Sequence, residues 1–273
     1  MINELTYEPL IKRIKRRRRW VLALLVVAVL ALMLFGTPFS LVLFGETQIA
    51  GAGLHPIAVL LLFLLCMVVG TFAYAIASLP IYTAMDVECD PEKQLILNAA
   101  LSKQTNIQTV MLYANDYFYL GRYPEAIGYA QKMAEHRNER IALTGYLQLA
   151  RCYYFLGDSA SLHQASAEFG RRLSGAVKMK PKPMAVHRSM EEVLCLLCAL
   201  ADHDAEAIGR IGAAVKPWNA LKQTECFVHY LKGLCALRID DRDEAVFRFK
   251  TVREIAPKTV FAALSENALA SLG

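Results

Sequence analysis

Two cysteines three residues apart, Cys195 and Cys198, carry the spacing of a zinc or redox pair, and His203, Cys226, His229 and Cys235 follow downstream. A site drawn from Cys195, Cys198, Cys226 and His229 would offer thiolate and imidazole, ligand types that zinc takes. The surroundings argue against it. Leu194, Leu196, Leu197 and Leu200 flank the pair, no glycine or proline shapes a knuckle, and a free cysteine packs readily as a small hydrophobe. A thioredoxin-like role is weaker still, because no alternation of strand and helix surrounds the pair. The six histidines are dispersed, and the chain contains no Gly-rich phosphate loop, no His-Glu-x-x-His and no Ser, His and acid pattern. The expectation is a non-enzyme with no catalytic residue, cofactor or metal.

With chemistry so sparse, placement becomes the informative property. The 273 residues are 55% hydrophobic and 20% charged, with a mean hydropathy of +0.31, which excludes disorder and a wholly water-soluble chain. From Trp20 to Phe44 there is no charge across 25 positions, and from Ile57 to Leu79 there are 23 more. Each run exceeds the roughly 20 residues that cross about 30 Å of hydrocarbon, so the sequence predicts two transmembrane helices over 20–44 and 57–79. Gly36, Thr37 and Pro38 interrupt the first. A cleaved signal peptide is the competing reading; the length of the run, the lack of a small-residue cleavage site after Phe35 and the second span speak against it.

The net charge of +5 is concentrated at one end. Residues 1–19 hold seven Lys and Arg against Glu4 and Glu8, and the other 254 residues carry 23 charges of each sign. No long-range field remains to attract nucleic acid. A basic segment beside an apolar run marks the cytoplasmic side, and the loop 45–56 has Glu46 but no Lys or Arg, so it faces the other way. The N-terminus and residues 86–273 are then expected in the cytoplasm, at a plasma (inner) membrane, with the basic run resting on anionic lipid. Six cysteines without a framework beyond the second span suit a reducing compartment.

Beyond Pro80 the apolar positions follow helical spacing and strand patterns are absent, which predicts an all-α domain. Within it, Ala114, Tyr117, Gly121, Tyr123 and Ala126 stand in the order small, aromatic, turn Gly, Tyr, Ala. A second copy reads Tyr146, Leu149, Ala150, Tyr153 and Gly157, with Leu162 in the Ala place; a third is marked by Ala207; a fourth by Gly233, Ala236, Ala245, Phe249 and Pro257. The anchors 126, 162, 207 and 245 are spaced by 36, 45 and 38 residues, with the charged, Pro-containing Lys178–Pro183 stretch in the long interval read as a loop. Ser265, Glu266 and Asn267 put polar groups on a last helix, Val260 to Leu272, as the end of an array requires.

This pattern resembles the tetratricopeptide repeat over about residues 106–257, best in the first and fourth copies. The resemblance implies an α-solenoid of antiparallel helix pairs, here behind a two-span helical hairpin. It also implies inward-facing positions, Asn115, Phe118 and Tyr119 in the first copy and Arg151, Tyr154 and Phe155 in the second, where an amide and a cation beside aromatic rings would hold an extended peptide. The alternative is that these rings pack between helices or under the helix around Glu92 to Lys103. The function expected is a membrane-anchored scaffold or adaptor that binds a protein or peptide partner. Its rivals are an accessory subunit of a membrane transport or secretion complex, using Gly70, Ala73, Ala75 and Ala77 for close helix contacts, and a membrane-bound metal-dependent enzyme or regulator.

Overall fold

Helix-period patterning with hardly a β-branched run dictates helices, and helices are what form. The computed structural model describes residues 4–36, 56–102, 106–175 and 181–272, and among them there are twelve α-helices and no strand. The chain divides into two units, about residues 3–82 and 83–273.

In the first unit, α1 (Glu4–Gly36) starts inside the basic segment and runs unbroken into the apolar stretch, so residues 4–19 are helix and continuous with the first apolar run. It is described as far as Gly36, the first residue of the Gly-Thr-Pro sequence; residues 37–55, with the rest of the first expected span and nearly all of the loop, lie outside the described residues. The described apolar part of α1, Trp20 to Gly36, is 17 residues long. The second helix, α2 (Pro56–Asp86), contains the one stretch among the described residues that is long and apolar enough to cross a membrane, Leu60–Asp86, 27 residues whose most apolar 18 have a mean hydropathy of 2.5. Two spans were expected, and one helix meets that test.

Nor does this helix stop at Leu79. It continues through Pro80 for six more residues, because a proline inside a long helix removes one N–H donor while the turns on either side keep their bonds. Two contacts set α1 and α2 antiparallel. Arg18 donates through Nε and Nη2 to Ser78 Oγ at 3.0 and 2.8 Å and lies 5.1 Å from the centre of the Tyr74 ring. Further along, Leu25 sits against Gly70, where a Cβ would meet Leu25 Cδ1 at 2.7 Å.

The second unit opens within the last turn of α2. Val87 and Glu88 donate to Thr83 O, Cys89 takes a positive φ of 48°, and Asp90 caps the next helix by accepting from Lys93 N at 2.9 Å. The helices that follow are α3 (Pro91–Leu101), α4 (Ile107–Tyr119), α5 (Tyr123–Ala134), α6 (Glu139–Leu156) and α7 (Ser159–Gly175). Then come α8 (Pro181–Ala201), α9 (Ala205–Ala214), α10 (Lys222–Arg238), α11 (Arg242–Ile255) and α12 (Val260–Leu272). From α3 onward each helix packs on the next, with extra contacts such as α6 on α8 and α10 on α12, the pattern of an array compatible with a helical repeat.

The small residues lie at its crossings and turns. Gly121 and Gly157 have φ of 75° and 71°, a conformation glycine adopts without strain. At Gly145 a Cβ would lie 2.4 Å from Ala134 N, so α5 and α6 touch backbone to backbone. The anchors Ala126, Leu162 and Ala245 are fully buried, and Ala207 packs partly buried against the same core.

Two details depart from expectation. Pro181 and Pro183 lie in the first turn of α8, with the remainder of the expected loop, residues 178–180, outside the described residues; the first turn of a helix tolerates proline because its N–H groups have no intrahelical acceptor. Ser265 does not face solvent on α12 but is fully buried, while Glu266 and Asn267 are exposed.

Candidate functional site

Helices α4 and α6 supply all six residues expected to hold a peptide. Their register follows from the buried stripes: Val110, Tyr113, Ala114 and Phe118 on α4, Leu143, Leu147 and Ala150 on α6. The structure does bring the six together, but in the interior. Phe118, Tyr119 and Arg151 are buried, and Asn115, Tyr154 and Phe155 are half-buried.

The place where a ligand would lie is filled by α10 and α12. Phe118 meets Phe227 at 5.6 Å and Phe261 at 5.5 Å between ring centres, and Phe155 stacks on Tyr123 at 5.3 Å and meets Tyr230 at 6.0 Å. Tyr154 sits edge-on to Phe155 at 5.1 Å. Such pairs gain about 0.5–1.5 kcal/mol beyond the area they bury, so the aromatic residues are spent on packing. The six residues line no open channel in this structure.

The polar groups of the six are similarly engaged. Asn115 Nδ2 donates to Gln223 Oε1 at 2.6 Å, Tyr119 OH donates to Gln223 O at 2.6 Å, and Gln223 Nε2 reaches Asp86 Oδ1 at 3.4 Å. A chain of polar contacts therefore runs from α4 through the first turn of α10 to the last residue of α2. Lys222 adds a donor to Val87 O at 3.1 Å, and Lys258 pairs with the buried Asp90 at 2.6 Å. The Arg151 guanidinium lies over Phe118 at 4.2 Å, Phe227 at 5.1 Å and Trp218 at 5.6 Å, and its Nη2 donates to Gln148 Oε1. Gln148 in turn donates to Ala114 O at 2.9 Å. Arg151 Nε and Nη1 have no hydrogen-bond partner among the described residues, nor has either carboxylate oxygen of Asp116.

Burial dominates the titration of these groups. It pushes the Asp116 carboxyl well above its ordinary value, with the Asp86 charge adding to the effect, and it raises the Tyr119 hydroxyl and lowers Arg151. Burial also lifts Cys89 to about 11 and both Cys152 and Cys226 to about 12, which keeps these thiols protonated and poor as nucleophiles or ligands.

The alternative metal site does not assemble. Cys226 is buried, Cys195 exposed and Cys198 half-buried; His229 Nδ1 lies 3.2 Å from Arg248 Nη1, and burial and that cation lower its basicity. Among the described residues no group of three or more His, Cys, Asp and Glu is placed to hold a metal.

Sequence reasoning passed over Gln148, Asp116, Trp218 and Gln223. Asp116 left a signal, since it falls on the helical face of Thr109 and Tyr113, both buried. Trp218 and Gln223 lie around the α9–α10 connection and left none. An open surface lies between α6 and α7, where Tyr146, Leu149, Tyr153, Ser161, Gln164 and Glu168 line a depression. Comparison with protein-family models, with curated proteins and with solved structures finds no match to this chain.

Proposed function

We propose that this protein is a membrane-anchored scaffold or adaptor, holding a protein or peptide partner at the cytoplasmic face of a plasma membrane. The observation that carries the reading is the joining of one 27-residue apolar helix to an array of successively packed helices. A bilayer takes such a helix because its backbone bonds are all internal, and stacked helix pairs present side chains on a broad surface for recognition. The finer reading is a tetratricopeptide-like solenoid behind a two-span hairpin. It is supported by the turn glycines, the buried anchors and the antiparallel contacts of Arg18 with Ser78 and Leu25 with Gly70. Since the inner face of α4 and α6 is occupied, recognition is assigned to the depression between α6 and α7, whose tyrosines suit a peptide with apolar side chains; Glu168 at its rim is already paired with Arg171 and Arg172.

The test uses the full chain in carbonate-washed membranes of its source cells, with a photoreactive residue at position 153 and, as control, at the exposed Phe247. The chain is expected to stay in the membrane pellet and to form a discrete protein adduct from position 153 that position 247 does not give. A chain that washes out overturns the anchor, and matching or absent adducts overturn the recognition surface. A second reading, an accessory subunit of a membrane transport or secretion complex, is favoured by the exposed Leu60, Leu61, Leu64, Leu65, Val68 and Phe72 of α2. A polytopic protein recovered with the chain in mild detergent is its expected outcome.

A further inference from the structure

The basic residues of α1 do not form one undifferentiated patch. Lys12, Lys15, Arg16, Arg19, Trp20 and Ala23 are spaced by 3, 1, 3, 1 and 3 residues and line a single depression along one side of the helix. At 3.6 residues per turn they share an arc of roughly 140°. Arg18 points elsewhere, with its guanidinium committed to Ser78 and Tyr74. Arg13 and Arg17 are exposed outside the arc. Lys12 pairs with Glu8 at 2.7 Å on the surface, while Lys15, Arg16 and Arg19 are exposed and paired with no carboxylate among the described residues.

From these placements we infer that this stripe is a binding site for the phosphate headgroups of anionic phospholipids. The inference deepens the membrane reading and rests on it. With α2 spanning from Leu60, the Arg18–Ser78 contact lies about 27 Å along that helix, near the far edge of the hydrocarbon. Arg19 and Trp20 then stand at the boundary, and Arg16, Lys15 and Lys12 rise from it by about 10 Å in all, the depth of a headgroup layer with its adjoining water. Trp20 is exposed, as an indole anchored at that boundary must be to reach both phases. Because the helix is continuous from Glu4, the cations are held in register with the phosphates at little further cost in order, and Arg offers its forked donors to phosphate oxygens. Charge complementarity, the indole and continuity with an apolar helix together select a lipid surface as the occupant.

Lys15→Gln/Arg19→Gln removes two charges from the stripe, and Arg13→Gln/Arg17→Gln removes two from outside it. Full-length protein and both variants are exchanged into mixed micelles of phosphatidylglycerol and phosphatidylcholine, and retained lipid is counted by native mass spectrometry. The parent is expected to favour phosphatidylglycerol, the stripe variant to lose about 30-fold of that preference at about 1 kcal/mol per cation, and the off-stripe variant to lose less than about threefold. Equal losses in the two variants, or no preference in the parent, overturn the stripe. A short RNA that displaces the lipid from the parent and binds the stripe variant as weakly as lipid does overturns the choice of occupant. Carbonate extraction of the same proteins separates this from failure of the membrane reading: release of all three overturns the anchor itself, and release of the stripe variant alone would make these charges a determinant of insertion instead of a lipid site.

Discussion

The two units bury opposite things. In residues 3–82 leucines, valines and a phenylalanine face outward while Arg18 finds a hydroxyl and a ring within the unit. In residues 83–273 most of the apolar side chains are enclosed, and with them an arginine and an aspartic acid that lack full sets of partners. Hydrophobicity alone does not decide burial; on the reading proposed above, the medium around each unit does. A water-facing array gathers its apolar atoms inward and must take along any polar group that shares their helical face, whereas a helix read as lying in lipid can leave every leucine outside.

The contrast sharpens most at the glycines. Gly145→Ala pushes a methyl group into the backbone of Ala134 at 2.4 Å, so α5 and α6 must separate; we expect a loss of about 3 kcal/mol in urea unfolding of the detergent-solubilised chain. A loss below about 1 kcal/mol would mean that the helix contact yields easily and would weaken the contrast. Next comes the buried cation. Arg151→Ala empties a space between three rings and is expected to cost about 2–4 kcal/mol, while Arg151→Met, which keeps the packed stem and drops the charge, stays within about 1 kcal/mol of the parent. Equal losses in both variants would show that the charge, and not the packing, is what the core needs.

Asp116 gives a pH test. Its carboxyl is held above the ordinary 3.8 in the folded chain, so between those values the folded chain keeps a proton that the unfolded chain has released. Its contribution is complete below pH 3.8 and is lost as pH rises through the folded-state value. Asp116→Asn has no such proton, and its thermal midpoint is expected to gain on the parent from pH 4.5 to pH 8. A constant difference across that range would mean that Asp116 is solvated in solution. The smallest effects belong to the first unit. Gly70→Ala meets only the flexible end of Leu25, and Arg18→Gln removes a half-buried contact; each is expected to cost under about 1 kcal/mol. Both are read as a broader distance distribution between spin labels on α1 and α2. An effect as large as that of Gly145→Ala would erase the distinction between the units.

Much of the architecture was legible in the chain because periodicity and turn glycines are local. Gly121, Gly157, Ala126 and Leu162 occupy turns and buried helix positions that their spacing implies, and α12 has the predicted ends. The fate of Asn115 and Arg151 was not legible. Their helical face is set by neighbours in sequence, but what covers it is decided by Gln223, Phe227 and Phe261, more than seventy residues away. Nothing local distinguishes an aromatic that lines a groove from one that fills it. The run through Pro80 was missed for a similar reason, since proline is a local breaker whose effect the turns around it can override.

The cysteines carry a practical consequence. All seven are unpaired, and Cys89, Cys152, Cys226 and Cys235 are buried, with their thiols held at about 11 or 12. Cys66 lies within the apolar stretch of α2. Cys195 is the exposed one, so a water-soluble maleimide applied briefly near neutral pH meets it first. The natural sequence thus supplies its own attachment point for a fluorophore on α8, without a cysteine-free background having to be engineered.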